Sequence, residues 1–188
     1  MTILKVVGFD PSLRNWGISA GTLCTVTGKL TIKTLRVIQT KEPKGKDVRV
    51  NSDDLRAAKE LMDGAQPFLE QANLIFVEVP SGTQSARGSM ASGICIGLLG
   101  AIRSRGTPFF EVTPIEVKKA TVGKKTATKA EMIDWAIATH PEAPWPMQTI
   151  KGVSKPIAGT AEHMADATAA IHAGLRTNEY KQLAAMTR

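Results

Sequence analysis

The stretch "VVGFDPSLRNWGI" spans residues 6–18 and ends an apolar run in a single acid, Asp10, with Pro11 behind it. Ile3 to Phe9 predicts a buried strand. A carboxylate closing such a strand is costly unless it is paired, protonated or bound to a metal. Asn15 to Leu23 and Leu30 to Ile38 predict two more strands, joined by a turn at Thr27-Gly28. Three strands linked this closely predict an antiparallel meander.

The chain has 188 residues, 43% hydrophobic and 22% charged, which suits one globular domain with a real core. A net charge of +7 favours an anionic partner, although small basic proteins are common. Cys24 and Cys95 lie far apart without metal-type spacing, so reduced thiols in a cytoplasmic protein are expected. The opening "MTILKVVGF" lacks the pattern of a signal peptide. The apolar run Met90 to Ile102 is too short for a membrane helix. Its Gly93, Gly97 and Gly100 suit close packing against a neighbouring element or a second subunit.

A helix is expected from about Asp53 to Gln71, with Ser52 as its N-cap. Its core stripe is read as Leu55, Ala58, Met62, Ala65 and Leu69, with Pro67 kinking or shortening the last turn. Gln39 to Ser52 before it reads as a basic loop. "LIFVEV", Leu74 to Val79, predicts a buried strand, and a helix to about Arg103 follows the loop "PSGTQSARGS". "TPFFEV" predicts a fifth strand. "TPIE" at 113–116 and "TKAE" at 128–131 are capping boxes, and the second helix is expected to end near His140-Pro141. A Pro-rich loop then runs to Gly159, and a final helix spans about Ala161 to Ala173. Residues 1–188 form one domain in this reading, with 176–188 a flexible C-terminal tail. The order predicts an α/β, ribonuclease H-like fold: a central mixed five-stranded sheet, meander plus parallel strands, flanked by helices.

Glu78 is the second acid out of place, interrupting a strand that otherwise reads as wholly buried. Alone, it is better read as pointing out from an edge; with a second acid on a neighbouring strand it is not. Ligands gather beyond the carboxyl ends of parallel strands, and Asp10 and Glu78 both sit there. If their strands are neighbours, both face one crevice. In "AEHMADATAAIHAG", Met164, Thr168, Ile171 and Leu175 form a core stripe. His163 and Asp166, three apart, share a roughly opposite face, with Glu162 at its border. Ala170 and Ala173 continue that face and leave room for an approaching group. A lone helical His is usually a surface or core residue; beside three acids it points to a metal site. Oxygen-rich ligation with one imidazole suits Mg²⁺ or Mn²⁺ better than zinc. Two ions about 4 Å apart can activate a water and stabilise the leaving oxygen of a phosphodiester.

"GFDPSLRNWG", "IFVEVP" and "HMADATAAI" resemble the first-strand, fourth-strand and closing-helix motifs of the RuvC family of Holliday-junction resolvases. "SMASGICIGLLGAI" resembles that family's dimer-forming helix, and residues 112–132 its short-helix and "VG"-turn segment. The likeness runs from about residue 4 to 175 and looks like that of a divergent, phage-borne member. It implies a homodimeric endonuclease that cuts four-way junctions or related branched DNA, in the bacterial cytoplasm or in that of a phage host. It implies two Mg²⁺ or Mn²⁺ ions held by Asp10, Glu78, His163 and Asp166, with His163 a ligand or a proton-transfer group. The segment "HPEAPWPMQTIKGVSKPIAGT" is matched to no family role, and "SGTQSARGS" shows no clear match to the family's junction-probing loop.

Lys118, Lys119, Lys124, Lys125 and Lys129 cluster around one turn and can hold phosphates or form an ordinary solvated patch. Lys118 and Lys129 fall at or near the family's basic positions. Arg87 is a further expected phosphate contact. Two rivals stand: a non-catalytic DNA-binding module of the same fold, and a fragment of an actin-like ATPase or sugar kinase, whose first hairpin "GFDPSLRNWG" also resembles.

Overall fold

The computed structural model describes residues 2–42 and 49–186. Its elements are β1 (Ile3–Asp10), β2 (Asn15–Cys24), β3 (Leu30–Gln39), α1 (Val50–Gln71), β4 (Leu74–Glu78), α2 (Ala86–Ser104), β5 (Phe110–Val112), α3 (Pro114–Thr121), α4 (Lys129–Thr139), β6 (Met147–Ile150), β7 (Val153–Pro156), α5 (Ala158–Gly174) and α6 (Asn178–Met186). Five strands form one sheet in the order β3-β2-β1-β4-β5, and β6 and β7 form a separate hairpin. β1, β2 and β3 pair antiparallel, while β4 joins β1 and β5 joins β4 in parallel. This mixed sheet flanked by helices is the ribonuclease H-like arrangement the sequence predicts.

Alternation along the strands decides what each face carries. Val7, Phe9, Ile75 and Val77 pack with Ala57, Leu61 and Ala65 of α1 and Cys95, Leu99 and Ile102 of α2. Val6, Leu74 and Phe76 point the other way and pack with Ala161, Met164, Ala165 and Ile171 of α5. Asp10 follows Val6 and Gly8 in that alternation, and Glu78 follows Leu74 and Phe76, so both acids belong to the α5 face. Phe9 and Trp16, both 0% exposed, meet edge-on at 5.9 Å and anchor the opposite layer.

Glycines let α5 lie directly on the sheet. A Cβ at Gly8 would stand 2.0 Å from the Ala167 carbonyl oxygen, and one at Gly17 would stand 2.1 Å from the His163 carbonyl oxygen. Both capping boxes form as read, on Thr113/Glu116 and Thr128/Glu131, and His140 caps the end of α4.

Several expectations are corrected. The N-cap of α1 is Arg49 rather than Ser52, and the helix runs through Pro67 to Gln71. Its buried residues are Asp53, Asp54, Ala57, Leu61 and Ala65, while Leu55 is 73% exposed. The stripe is rotated because the two aspartates turn inward onto arginines. Part of the basic loop, residues 43–48, lies outside the described residues. Ala170 and Ala173 leave no open room: they pack with Val112, Val117, Ala127 and Met132 beneath α3 and α4. The segment read as a loop up to Gly159 holds the β6–β7 hairpin. Residues 178–186, within the segment read as a tail, form α6, whose Tyr180 ring meets Phe76 and Phe110 at 6.0 and 5.9 Å.

Candidate active site

The site is assembled by register. Phe9 pairs with Val77 across the parallel β1–β4 ladder, so Asp10 and Glu78 come next, side by side at the carboxyl end of the sheet. Asp10 also pairs with Gly17 across β1–β2. The absent side chain at Gly17 admits the backbone of His163, which brings His163 Nδ1 to 2.9 Å from Asp10 Oδ2. One helical turn on, Asp166 reaches the same crevice. The structure thus gathers Asp10, Glu78, His163 and Asp166 from three elements.

The electrostatics are those of crowded acids. Burial first, then the charges of Asp10 and Asp166, push the Glu78 carboxyl up to about 9. Its Oε2 is shut off from solvent and has no hydrogen-bond partner. Burial, then Asp10, raises Asp166 to about 7, with His163 and Lys118 opposing. Burial works against a charged His163, but the hydrogen bond and charge of Asp10, with Glu162 and Asp166, outweigh it and raise its pKa. Its Nε2 lies 3.5 Å from Glu162, which Lys129 holds at 2.9 Å. Cys95 beneath the site is a free, buried thiol, raised to about 12 by burial and then by Asp10.

Three carboxylates and one imidazole are a donor set suited to an oxygen-preferring dication. The orphaned Glu78 Oε2 is the kind of buried acceptor such an ion satisfies. Yet among the described residues no three His, Cys, Asp or Glu side chains are arranged around one ion position. His163 turns its ring onto Asp10, with Nδ1 2.9 Å from Oδ2.

The basic residues divide. Lys118, half-buried on α3, is close enough to favour the charged forms of Glu78 and Asp166. Lys129 reaches the site through Glu162. Lys119 and Lys125 are exposed, and Lys124 is paired with Glu131. Arg87 does not point into the crevice as a free cation. It grips Asp54 with both terminal nitrogens at 2.6 Å. Asp54 belongs to a network the sequence did not reveal. Arg14, from the turn after Asp10, lies 2.8 Å from Asp53 and 3.7 Å from Asp54, and Arg56 also binds Asp53. The network ties the β1–β2 turn and the start of α2 to the start of α1. The only signal for it was the acid pair at 53–54, which reads equally as a favourable first helical turn.

No protein-family model matches this chain, and no curated protein does. Solved structures do. Thermus thermophilus RuvC in complex with a Holliday junction substrate is similar with a TM-score of 0.60 and 18% identity, covering 90% of this chain and 92% of that one. A further Thermus thermophilus RuvC structure is similar with a TM-score of 0.58 and 19% identity over the same shares. The chain therefore has the fold of these RuvC structures, at an identity that speaks for fold alone. No helix among the described residues is long and apolar enough to cross a membrane.

Proposed function

We propose that this chain is a divalent-metal-dependent endonuclease of branched DNA, with four-way junctions its first substrate. The observation that carries the reading is the meeting of Asp10, Glu78 and Asp166 at one sheet edge, with Glu78 Oε2 buried and unpartnered. Carboxylates so crowded bind dications because an ion relieves both their repulsion and the orphaned oxygen. Asp10, Glu78 and Asp166 hold Mg²⁺ or Mn²⁺, with two ions per site as the RuvC likeness implies. Bound there, such ions supply a metal-activated water and charge stabilisation for phosphodiester hydrolysis. His163 releases Asp10 for this and serves as a ligand or moves a proton at its Nδ1. Lys118 and Lys129 flank the acids and draw the phosphate backbone toward them.

The neighbour with a junction bound supports branched DNA as the partner. A homodimer is supported by α2, where Cβ atoms at Gly93, Gly97 and Gly100 would meet nothing within 4 Å. That smooth face lies beside exposed Ile96 and Met90. The working place of such an enzyme is the cytoplasm.

One observation favours a second reading, a non-catalytic DNA-binding module of the same fold: the side chains gather no three-ligand set among the described residues. A panel of labelled four-way junctions, forks, flaps and linear duplexes separates the two. Cutting of branched substrates with Mg²⁺ or Mn²⁺, abolished by EDTA, supports the nuclease. Retardation of junctions without cutting in either ion supports the module.

A further inference from the structure

The β6–β7 hairpin is a built arm left exposed by the described residues. Its eight strand residues are exposed, apart from half-buried Pro156. A two-stranded ribbon is marginal in water on its own, so its mounting matters. Trp145, 9% exposed, plugs the base and donates from Nε1 to the His140 carbonyl at 2.9 Å. The Ile157 amide then closes the ribbon onto the Pro146 carbonyl at 2.8 Å. The tip is a two-residue turn, Lys151-Gly152, with φ of 49° and 78°. Both are left-handed, as a tight hairpin turn matching strand twist requires. The arm is about 13 Å long and leads straight into α5, about 7.5 Å along the helix from His163.

Its faces are not those of a solvated loop. Ile150 pairs with Val153 and Gln148 with Lys155, so these four side chains share one face. Ile150 and Val153 are 46% and 54% exposed at the tip. Lys151 and Lys155 flank them, and no acid occurs between Glu142 and Glu162. An apolar tip carried between lysines meets two demands at once: bases with exposed faces, and the phosphates on either side of them.

We infer that the β6–β7 hairpin engages the branch point of the DNA substrate, with Ile150 and Val153 against unstacked bases and Lys151 and Lys155 on the flanking phosphates. The inference rests on the branched-DNA reading above and adds to it the element that recognises the branch. A basic ribbon without acids complements a polyanion better than it does a second copy of a chain already charged +7.

The test uses full-length protein, in EDTA and in Ca²⁺ buffers, with four-way junctions carrying 2-aminopurine at the branch and with linear duplex. The unsubstituted protein should retard the junction more than the duplex and raise 2-aminopurine fluorescence. Ile150→Ser/Val153→Ser should lose most of that rise and about tenfold in junction affinity, the worth of one base contact, while keeping duplex affinity. Lys151→Gln/Lys155→Gln should weaken both and flatten the salt dependence. All four positions are exposed, so unchanged thermal melting is expected. If the unsubstituted protein does not prefer the junction, the branched-DNA reading falls and the hairpin assignment with it. If it does and the Ile150/Val153 variant matches it, only the hairpin assignment is overturned. Conversion of a dimer to a monomer by that variant, read by light scattering, overturns it too, by making the arm a subunit contact.

Discussion

His163 Nδ1 stands 2.9 Å from Asp10 Oδ2, joining residues 153 positions apart. The contact exists because Gly17, opposite Asp10 in the β1–β2 ladder, has no side chain to hold α5 away. It places an imidazole where the carboxylates of Asp10, Glu78 and Asp166 converge.

Gly17→Ala should therefore damage site and fold together. The new Cβ would meet backbone at 2.1 Å, which cannot swing aside. A loss of about 2 kcal/mol in chemical denaturation is expected, with any cutting falling alongside. Gly97 is the contrast, with nothing within 4 Å of an added Cβ. Gly97→Arg should leave the melting of the monomer unchanged and abolish the dimer in light scattering. Loss of folding in Gly97→Arg would contradict the open α2 face.

Glu78→Gln probes the crowded acids without DNA. The folded carboxyl is raised from 4.5 to about 9, so its proton is held more tightly folded than unfolded. Stability from this group is fully present below the unfolded value and lost as pH climbs through the folded one. Without divalent ion, the protein should lose stability between these values, and Glu78→Gln should flatten the loss. At about pH 8 the variant should be more stable by on the order of 2 kcal/mol in urea unfolding. Mn²⁺ should raise the melting temperature of the unsubstituted protein and not that of the variant.

The pH dependence of cutting follows from Asp166, raised to about 7. Below that value the carboxyl holds a proton in place of an ion. At low Mn²⁺ the single-turnover rate should climb with pH through about 7 and keep rising toward about 9, because Glu78 must ionise as well as Asp166. Higher Mn²⁺ should move the rise to lower pH, since ion and proton compete. A flat profile at low Mn²⁺ would contradict an acid that must ionise.

Arg87 separates a scaffold role from a phosphate contact. It bonds Asp54 twice at 2.6 Å, and Asp54 is 4% exposed. Arg87→Ala leaves that carboxylate short of a partner and should cost roughly 1–3 kcal/mol of stability. Asp54→Ala on top should recover part of it. A phosphate contact would instead lower DNA affinity without moving the melting temperature.

Much of this was legible because strong local rules agreed with the fold. Asp10 and Glu78 interrupt apolar strands, and no local preference explains a carboxylate there, so the crevice could be read from two residues. Thr113/Glu116 and Thr128/Glu131 cap their helices by contacts three residues apart. Failures came where distant partners decide. Asp53 and Asp54 turn inward onto Arg14 and Arg87, which come from other segments, with Arg56 joining from the same helix, and that rotation exposes Leu55. Ala170 and Ala173 looked like an open face, since the chain does not say that α3 and α4 fold back over α5. The β6–β7 strands are four residues each, one following Pro146 and the other ending at Pro156, too short to show alternation. His140 and His172 meet at 2.8 Å through ring nitrogens, a pairing across 32 residues without a sequence sign.

The central claim is that the carboxylates at the sheet edge hold the ions that cut DNA. Its most direct test is strand cleavage of a 5′-labelled four-way junction with Mg²⁺ or Mn²⁺, by the unsubstituted protein and by Asp10→Asn, with junction binding measured in parallel. The account predicts cutting by the first, and binding with a loss of at least about a thousandfold in cutting by the second. Asp10→Asn cutting at the unsubstituted rate would contradict it.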